Sequence, residues 1–193
     1  MSEDRRQRKL DIDKEITRLE YAFEKGINFA DRIIQITGDI DDHSSFDYLD
    51  AALCEMERAS RKKITLRICS PGGSVYEALA MVGRIRSSKC QIVTEGYGYV
   101  MSAASLLIAS GDRRRMSKYS IFMHHEASYG IGGRHSEIKD EIAQMEKEER
   151  MWSEWMAELS NKPAEFWYEQ GKRKNFYMSA EECLDCGVID EVF

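Results

Sequence analysis

From Gly26 onward the chain alternates short β-branched runs with stretches whose apolar residues recur every three or four positions. Residues 32–38 carry Ile33, Ile34 and Ile36 and close on Gly38, a run that predicts a buried strand. Residues 44–60 place Phe46, Leu49, Leu53 and Met56 at helical spacing, with a serine available to cap them. Residues 63–69 alternate as a second strand, and a Ser70-Pro71-Gly72-Gly73 turn leads into a helix from Ser74 to about Ser87. Residues 91–96 read as a third strand, 103–110 as a third and nearly apolar helix, and 120–124 as a further strand. This alternation predicts an α/β fold with parallel pairing, because parallel neighbours need a crossover connection, usually helical and right-handed.

Two segments stand outside that rhythm. Residues 136–159 predict a long, highly charged helix that carries Ile138, Ile142, Met145, Trp152 and Trp155. Residues 1–25 are charged, with apolar positions from Leu10 to Phe23, and predict a frayed start followed by an amphipathic helix. Pro71 and Pro163 are the only prolines, and there is no repeat or low-complexity linker. The organisation expected is a partly helical N-terminal segment, 1–25, and one domain, 26–193, with a protruding long helix.

Composition removes several classes of function. The apolar stretch at 100–109 is interrupted by serines and too short to span a bilayer. The charged start has no apolar core of a signal peptide after it, so a cytoplasmic protein without a membrane partner is expected. A net charge of -6 argues against nucleic acid as the main ligand, and the basic runs at 61–63, 113–115 and 172–174 read as solvated turns. Five cysteines, an odd number, predict reduced thiols. Cys183-x-x-Cys186 lacks two further ligands at zinc spacing and reads as part of a short helix ending at Gly187.

Two glycine-containing turns could carry chemistry. Gly72-Gly73 can leave backbone N–H groups bare at a helix start, where they could hold a developing negative charge. In the second turn, Ser102 follows Gly98-Tyr99-Val100-Met101 and enters a helix of small residues, as a nucleophile or as a plain cap. A serine nucleophile needs a base, and there are four histidines. His43 and His135 read as surface residues. His124 and His125 end the apolar run 121–123 at a sheet edge, and alternation along a strand lets only one of them meet Ser102.

In order, Ser70-Pro71-Gly72-Gly73, Gly98-x-x-x-Ser102, Phe122-Met123-His124, the glycine-rich stretch 130–133, a long helix, and the closing Met178-Ser179-Ala180 and Gly187-Val188-Ile189-Asp190 resemble the Clp protease proteolytic subunit (ClpP) family. The resemblance spans about residues 27–193. It implies a ClpP/crotonase-like spiral of β-α units, with a handle at about 128–160 whose glycine-rich strand and long helix would join two rings. It implies a serine endopeptidase with Ser102 as nucleophile, His124 as general base, and the N–H groups of Gly73 and Ala103 as the oxyanion hole. His125 falls where the family usually has glutamine and receives no role. Neither a cofactor nor a metal is implied. The implied partners are peptide or unfolded protein substrates, further copies in heptameric rings or a 14-mer, and an AAA+ unfoldase ATPase. This chain has no Gly-x-x-x-x-Gly-Lys-Ser/Thr loop, so ATP dependence would come from such a partner.

The sequence departs from the family at Asn175, which occupies the position usually held by the orienting aspartate, and at His125-Glu126, where Gln-Pro is common. Asparagine can hold an imidazole but lacks the charge that stabilises imidazolium. Besides an active ring peptidase, two readings therefore stay open: a catalytically weak structural ring subunit, and a phage head-maturation protease of the same fold.

Overall fold

The computed structural model describes residues 7–9, 12, 15, 16, 24–41 and 44–193. The expected amphipathic helix at the N-terminus falls largely outside them, as does His43. The elements from Ile27 on are β1 (Ile27–Asn28), β2 (Ile33–Ile40), α1 (Ser45–Ala59), β3 (Ile64–Gly73), α2 (Val75–Arg86), β4 (Ile92–Met101) and α3 (Ala104–Ala109). They continue as β5 (Arg113–Met116), β6 (Ile121–His124), α4 (His135–Glu158), α5 (Ala164–Gly171), β7 (Phe176–Ser179), α6 (Ala180–Asp185) and β8 (Glu191–Val192).

Strands β2, β3 and β4 pair in parallel, as the helical crossovers between them require. Beyond β3, strand β4 divides its edge. Its first half, Val93–Gly96, pairs with β5, and its second half, Tyr99–Met101, pairs with β6. The division falls at Gly96-Tyr97-Gly98. A Cβ on Gly96 would stand 2.8 Å from Met116 Cγ, and Gly98 has φ +61, so the chain bends where side chains would obstruct it. β6 then pairs antiparallel with β7, and β5 pairs in parallel with β8. The outcome is a mixed, mostly parallel sheet that splits into two lanes, which is the turn of the expected spiral.

The helices bury the faces their spacing predicts. On α1 the buried positions are Leu49, Ala52, Leu53 and Met56, and burying each of the three larger side chains is worth roughly 1.5–3 kcal/mol. The end of α1 is tied down by Arg32, whose guanidinium donates to the carbonyls of Met56 at 2.9 Å, Ser60 at 3.3 Å and Lys62 at 2.9 Å. Ser74 caps α2 by accepting from the Glu77 N–H at 3.4 Å. Helix α3 is buried at every residue, so it forms the core beneath the sheet rather than a surface.

Three expectations change. Strands β3 and β4 run on to Gly73 and Met101, so the two glycine-containing turns begin inside strands. Residues 127–134, with the glycine-rich stretch, form no strand. The basic run 113–115 is strand β5: Arg114 pairs with Asp190, and Arg115 reaches Glu95 at 3.1 Å and Glu191 at 3.0 Å. Helix α4 is about 36 Å long at 1.5 Å per residue. Its second half packs on the core through Trp152, Trp155 and Met156, while Ile142 in the first half is 44% exposed. Among the described residues no helix is long and apolar enough to cross a membrane.

Candidate active site

Ser102 sits between the end of β4 and the start of α3 with φ +52, a left-handed conformation that costs a non-glycine residue about 1–2 kcal/mol. Two hydrogen bonds hold it there. Its N–H donates to the Met123 carbonyl of β6 at 2.8 Å, and its carbonyl accepts from the Ser105 N–H at 2.9 Å. Such a turn lifts the hydroxyl away from both elements. It has the geometry of a nucleophile elbow rather than of a helix cap: no side-chain cap bond is made at the start of α3.

The end of β3 packs against this turn. A Cβ on Gly72 would stand 2.7 Å from the Ser102 Cβ and 2.8 Å from the Ala103 nitrogen. Gly72 has φ +98 as well, so both its conformation and its surroundings require glycine. Its N–H donates to the buried Ser70 hydroxyl at 3.1 Å. Gly73, at φ +147, comes so close to the Ile40 backbone that a Cβ would overlap the Ile40 carbonyl oxygen. The paired glycines thus bring a backbone edge against Ser102 and Ala103.

The histidine expected to meet Ser102 does not. His124 is only 3% exposed; its Nε2 lies 3.0 Å from the Trp167 carbonyl and its ring stands edge-on to the Trp167 indole. It is His125 whose Nε2 lies 2.7 Å from Ser102 Oγ. The physical reason is strand alternation. Phe122 and His124 share the core-facing side of β6, whereas Ile121, Met123 and then His125 share the other. Phe122, fully buried, marks the parity of the inner face, but Ile121, Phe122 and Met123 are all apolar, so the sequence alone does not tell which of them turns inward. Burial pushes the His124 imidazole down to about 4; the Trp167 carbonyl opposes the shift and the neighbouring His125 reinforces it. His124 is therefore neutral at pH 7, and its buried Nδ1 has no hydrogen-bond partner among the described residues.

Asn175 lies just before β7. The β6–β7 ladder ends at His124 opposite Phe176, one residue short of His125 on one strand and of Asn175 on the other. The Asn175 side chain makes its hydrogen bond to the Tyr177 hydroxyl, at 3.5 Å, and not to His125. The structure thus brings together Ser102, His125, Ala103 and the Gly72-Gly73 edge, leaves His124 behind them as packing, and joins Asn175 to Tyr177 rather than to His125.

Ser102 and His125 open on a cavity of about 210 Å³ between α2, α4 and α5. Val75, Leu79, Met151, Trp152 and Trp155 make its apolar lining. The wall near α4 carries a polar cluster: Glu148 accepts from the Tyr76 hydroxyl at 3.0 Å, from Tyr129 at 3.4 Å and from Gln144 at 2.7 Å. Burial and the Glu148 charge push the Tyr129 hydroxyl up to about 12. Burial, with Glu126 and Glu146 nearby, also raises the Glu149 carboxyl. Elsewhere Cys183 in α6 and Cys186 at its C-terminal cap are buried, free thiols, with Cys183 pushed up by burial. Among the described residues no group of three or more His, Cys, Asp or Glu could hold a metal ion.

A strained serine hydrogen-bonded to an imidazole at the mouth of an apolar cavity is the arrangement of a serine-hydrolase site. The Clp protease family model matches residues 23–193. Curated relatives include the ATP-dependent Clp protease proteolytic subunit 3 of Rhodococcus jostii, 30% identical over 166 residues, which are 85% of this chain and 82% of that protein. Subunit 1 of Corynebacterium glutamicum is 30% identical over 86% of this chain and 80% of its own length. Subunit 2 of Chlamydia pneumoniae is 30% identical over 84% and 80%. This chain belongs to the Clp protease family.

Proposed function

We propose that this chain is a serine endopeptidase that cleaves peptides and unfolded polypeptides with Ser102 as nucleophile and His125 as general base. The observation that carries the reading is the 2.7 Å contact between Ser102 Oγ and His125 Nε2 at a serine with positive φ. As Ser102 Oγ attacks the peptide carbonyl, its proton passes to His125 Nε2, which returns it to the leaving amine. The oxyanion of the tetrahedral intermediate is held by the N–H groups of Gly73 and Ala103; the close approach of Gly72 to Ala103 supports this. Asn175 orients His125 by accepting from Nδ1–H; its place one residue beyond the pairing of His124 with Phe176 speaks for this. The apolar cavity beside Ser102 takes a large apolar side chain of the substrate.

Relatives named as proteolytic subunits of an ATP-dependent Clp protease favour assembly of this chain with further subunits and with a separate ATP-using partner. Ile142 and Ile131, apolar and exposed in the single chain, fit burial between copies. A second reading, a slow ring subunit that supports an active paralogue, is favoured by the uncharged Asn175 and its bond to Tyr177. Fluorophosphonate labelling followed by intact mass separates the two. One adduct on the native chain, absent from Ser102→Ala, is the expected result; a folded, assembled native chain that takes no adduct would leave the structural role.

A further inference from the structure

His125 lies one residue past the last paired position of β6. The pairing of β4 with β6 ends at Met101 with Met123, and that of β6 with β7 at His124 with Phe176. From residue 125 to residue 134 the chain forms neither helix nor strand. Sheet pairing thus stops short of the imidazole, although a general base works only when it is held in place against its nucleophile.

The last turn of α5 holds the residues on both sides of it. On one side, His124 Nε2 lies 3.0 Å from the Trp167 carbonyl. A carbonyl only accepts, so that nitrogen carries the hydrogen. On the other side, the Glu126 N–H donates to the Gly171 carbonyl at 3.2 Å. That carbonyl is one of those a helix leaves without an intrahelical partner at its end. The two contacts meet at Gly171, where a Cβ would stand 2.9 Å from His124 Nε2 and 3.4 Å from the Glu126 nitrogen. The missing side chain lets the helix end approach both residues at once. The turn is itself anchored, because the Trp167 indole is fully buried and its Nε1–H donates to the Ser160 hydroxyl at 2.9 Å. Given the Ser102–His125 reading, on which this rests, we propose that the Trp167–Gly171 turn is the positioning element of the base. It ties down His124 by its ring and Glu126 by its backbone, and so holds His125 between them against Ser102. His124 is then a positioning residue. A leucine would fill the same buried space without an unpartnered Nδ1, but it has no donor for Trp167.

The test is the rate of fluorophosphonate labelling in full-length His124→Leu, which removes the donor, and in His124→Gln, which keeps one. His124→Leu is expected to label roughly a hundredfold more slowly, the scale of a reacting group misplaced by about 1 Å, and His124→Gln close to the native rate. Because the turn acts through His125, adding His124→Leu to His125→Ala should lower the residual rate by less than about twofold. A native rate in folded His124→Leu, or equal losses with and without His125, overturns the proposal. Gly171→Ala presses on the same contact from the helix side and replaces His124→Leu if that chain does not fold. It should slow labelling at least about tenfold, again only where His125 is present, and a native rate in the folded chain overturns the proposal. Crystal structures decide the same question without turnover. His125 Nε2 should stay near its 2.7 Å contact with Ser102 Oγ in His124→Gln and leave it in His124→Leu, and a ring that does not move overturns the proposal. A native chain that takes no label would instead overturn the peptidase reading, with the crystal structures still deciding the role of the turn.

Discussion

Gly72 and Ser102 approach so closely that a single added carbon on Gly72 would lie 2.7 Å from the Ser102 Cβ. The contact joins the end of β3 to the elbow after β4, and with them the proposed oxyanion donors to the nucleophile. Gly72→Ala should therefore displace Ser102 and Ala103 relative to Gly73. Peptide hydrolysis is expected to fall by at least about a hundredfold, the scale of losing one oxyanion donor. Circular dichroism should still show a folded chain.

His124 makes stability depend on pH. Its folded-state value of about 4 lies below the ordinary histidine value, so between the two the unfolded chain binds more protons than the folded one. Stability is thus full above about pH 6.5 and is lost as pH falls through that window, by up to about 3 kcal/mol. Urea denaturation at pH 7 and pH 4.5 checks this. His124→Gln, which keeps a donor for the Trp167 carbonyl, should flatten the difference between the two.

With Ser102 as nucleophile, the apolar cavity beside it is expected to set the size of side chain accepted before the cleaved bond. Leu79→Trp fills part of its roughly 210 Å³. KM for peptides with leucine, methionine or phenylalanine at that position should rise about tenfold or more, while an alanine peptide changes little. Steady-state kinetics on a matched peptide series reads this out.

Asn175→Asp should speed the reaction. Exchanging aspartate for asparagine costs about 10⁴ in turnover in a well-studied serine triad. Restoring the charge opposite His125 is expected to raise kcat by at least about tenfold, most strongly near neutral pH. An unchanged pH–rate profile would mean that Asn175 does not act on His125.

The order of strands and helices was legible because each element announces itself by period: Leu49, Leu53 and Met56 mark one face of α1, and Ile33, Ile34 and Ile36 mark a buried strand. The ends of β3 and β4 were not legible. Ser70 pairs with Val100 and Gly73 with Ile40, so neighbouring strands hold in line a glycine-containing segment that reads locally as a turn. Alternation along β6 allowed only one histidine to meet Ser102; motif spacing pointed to His124, whereas the structure brings His125 to the Ser102 hydroxyl. Burial of Phe122 and His124 on one face decides it, and that depends on Trp167, more than forty residues away in sequence. The partner of Asn175 was equally out of reach, because a side-chain bond of that kind leaves no periodic trace.

The assignment of the base to His125 is tested most directly by the rate of fluorophosphonate labelling in three full-length chains: native, His125→Ala and His124→Gln. A single adduct at Ser102 is expected in the native chain, with a loss of at least about a hundredfold in His125→Ala and a rate close to native in folded His124→Gln. Labelling that survives in His125→Ala and disappears in folded His124→Gln would contradict it.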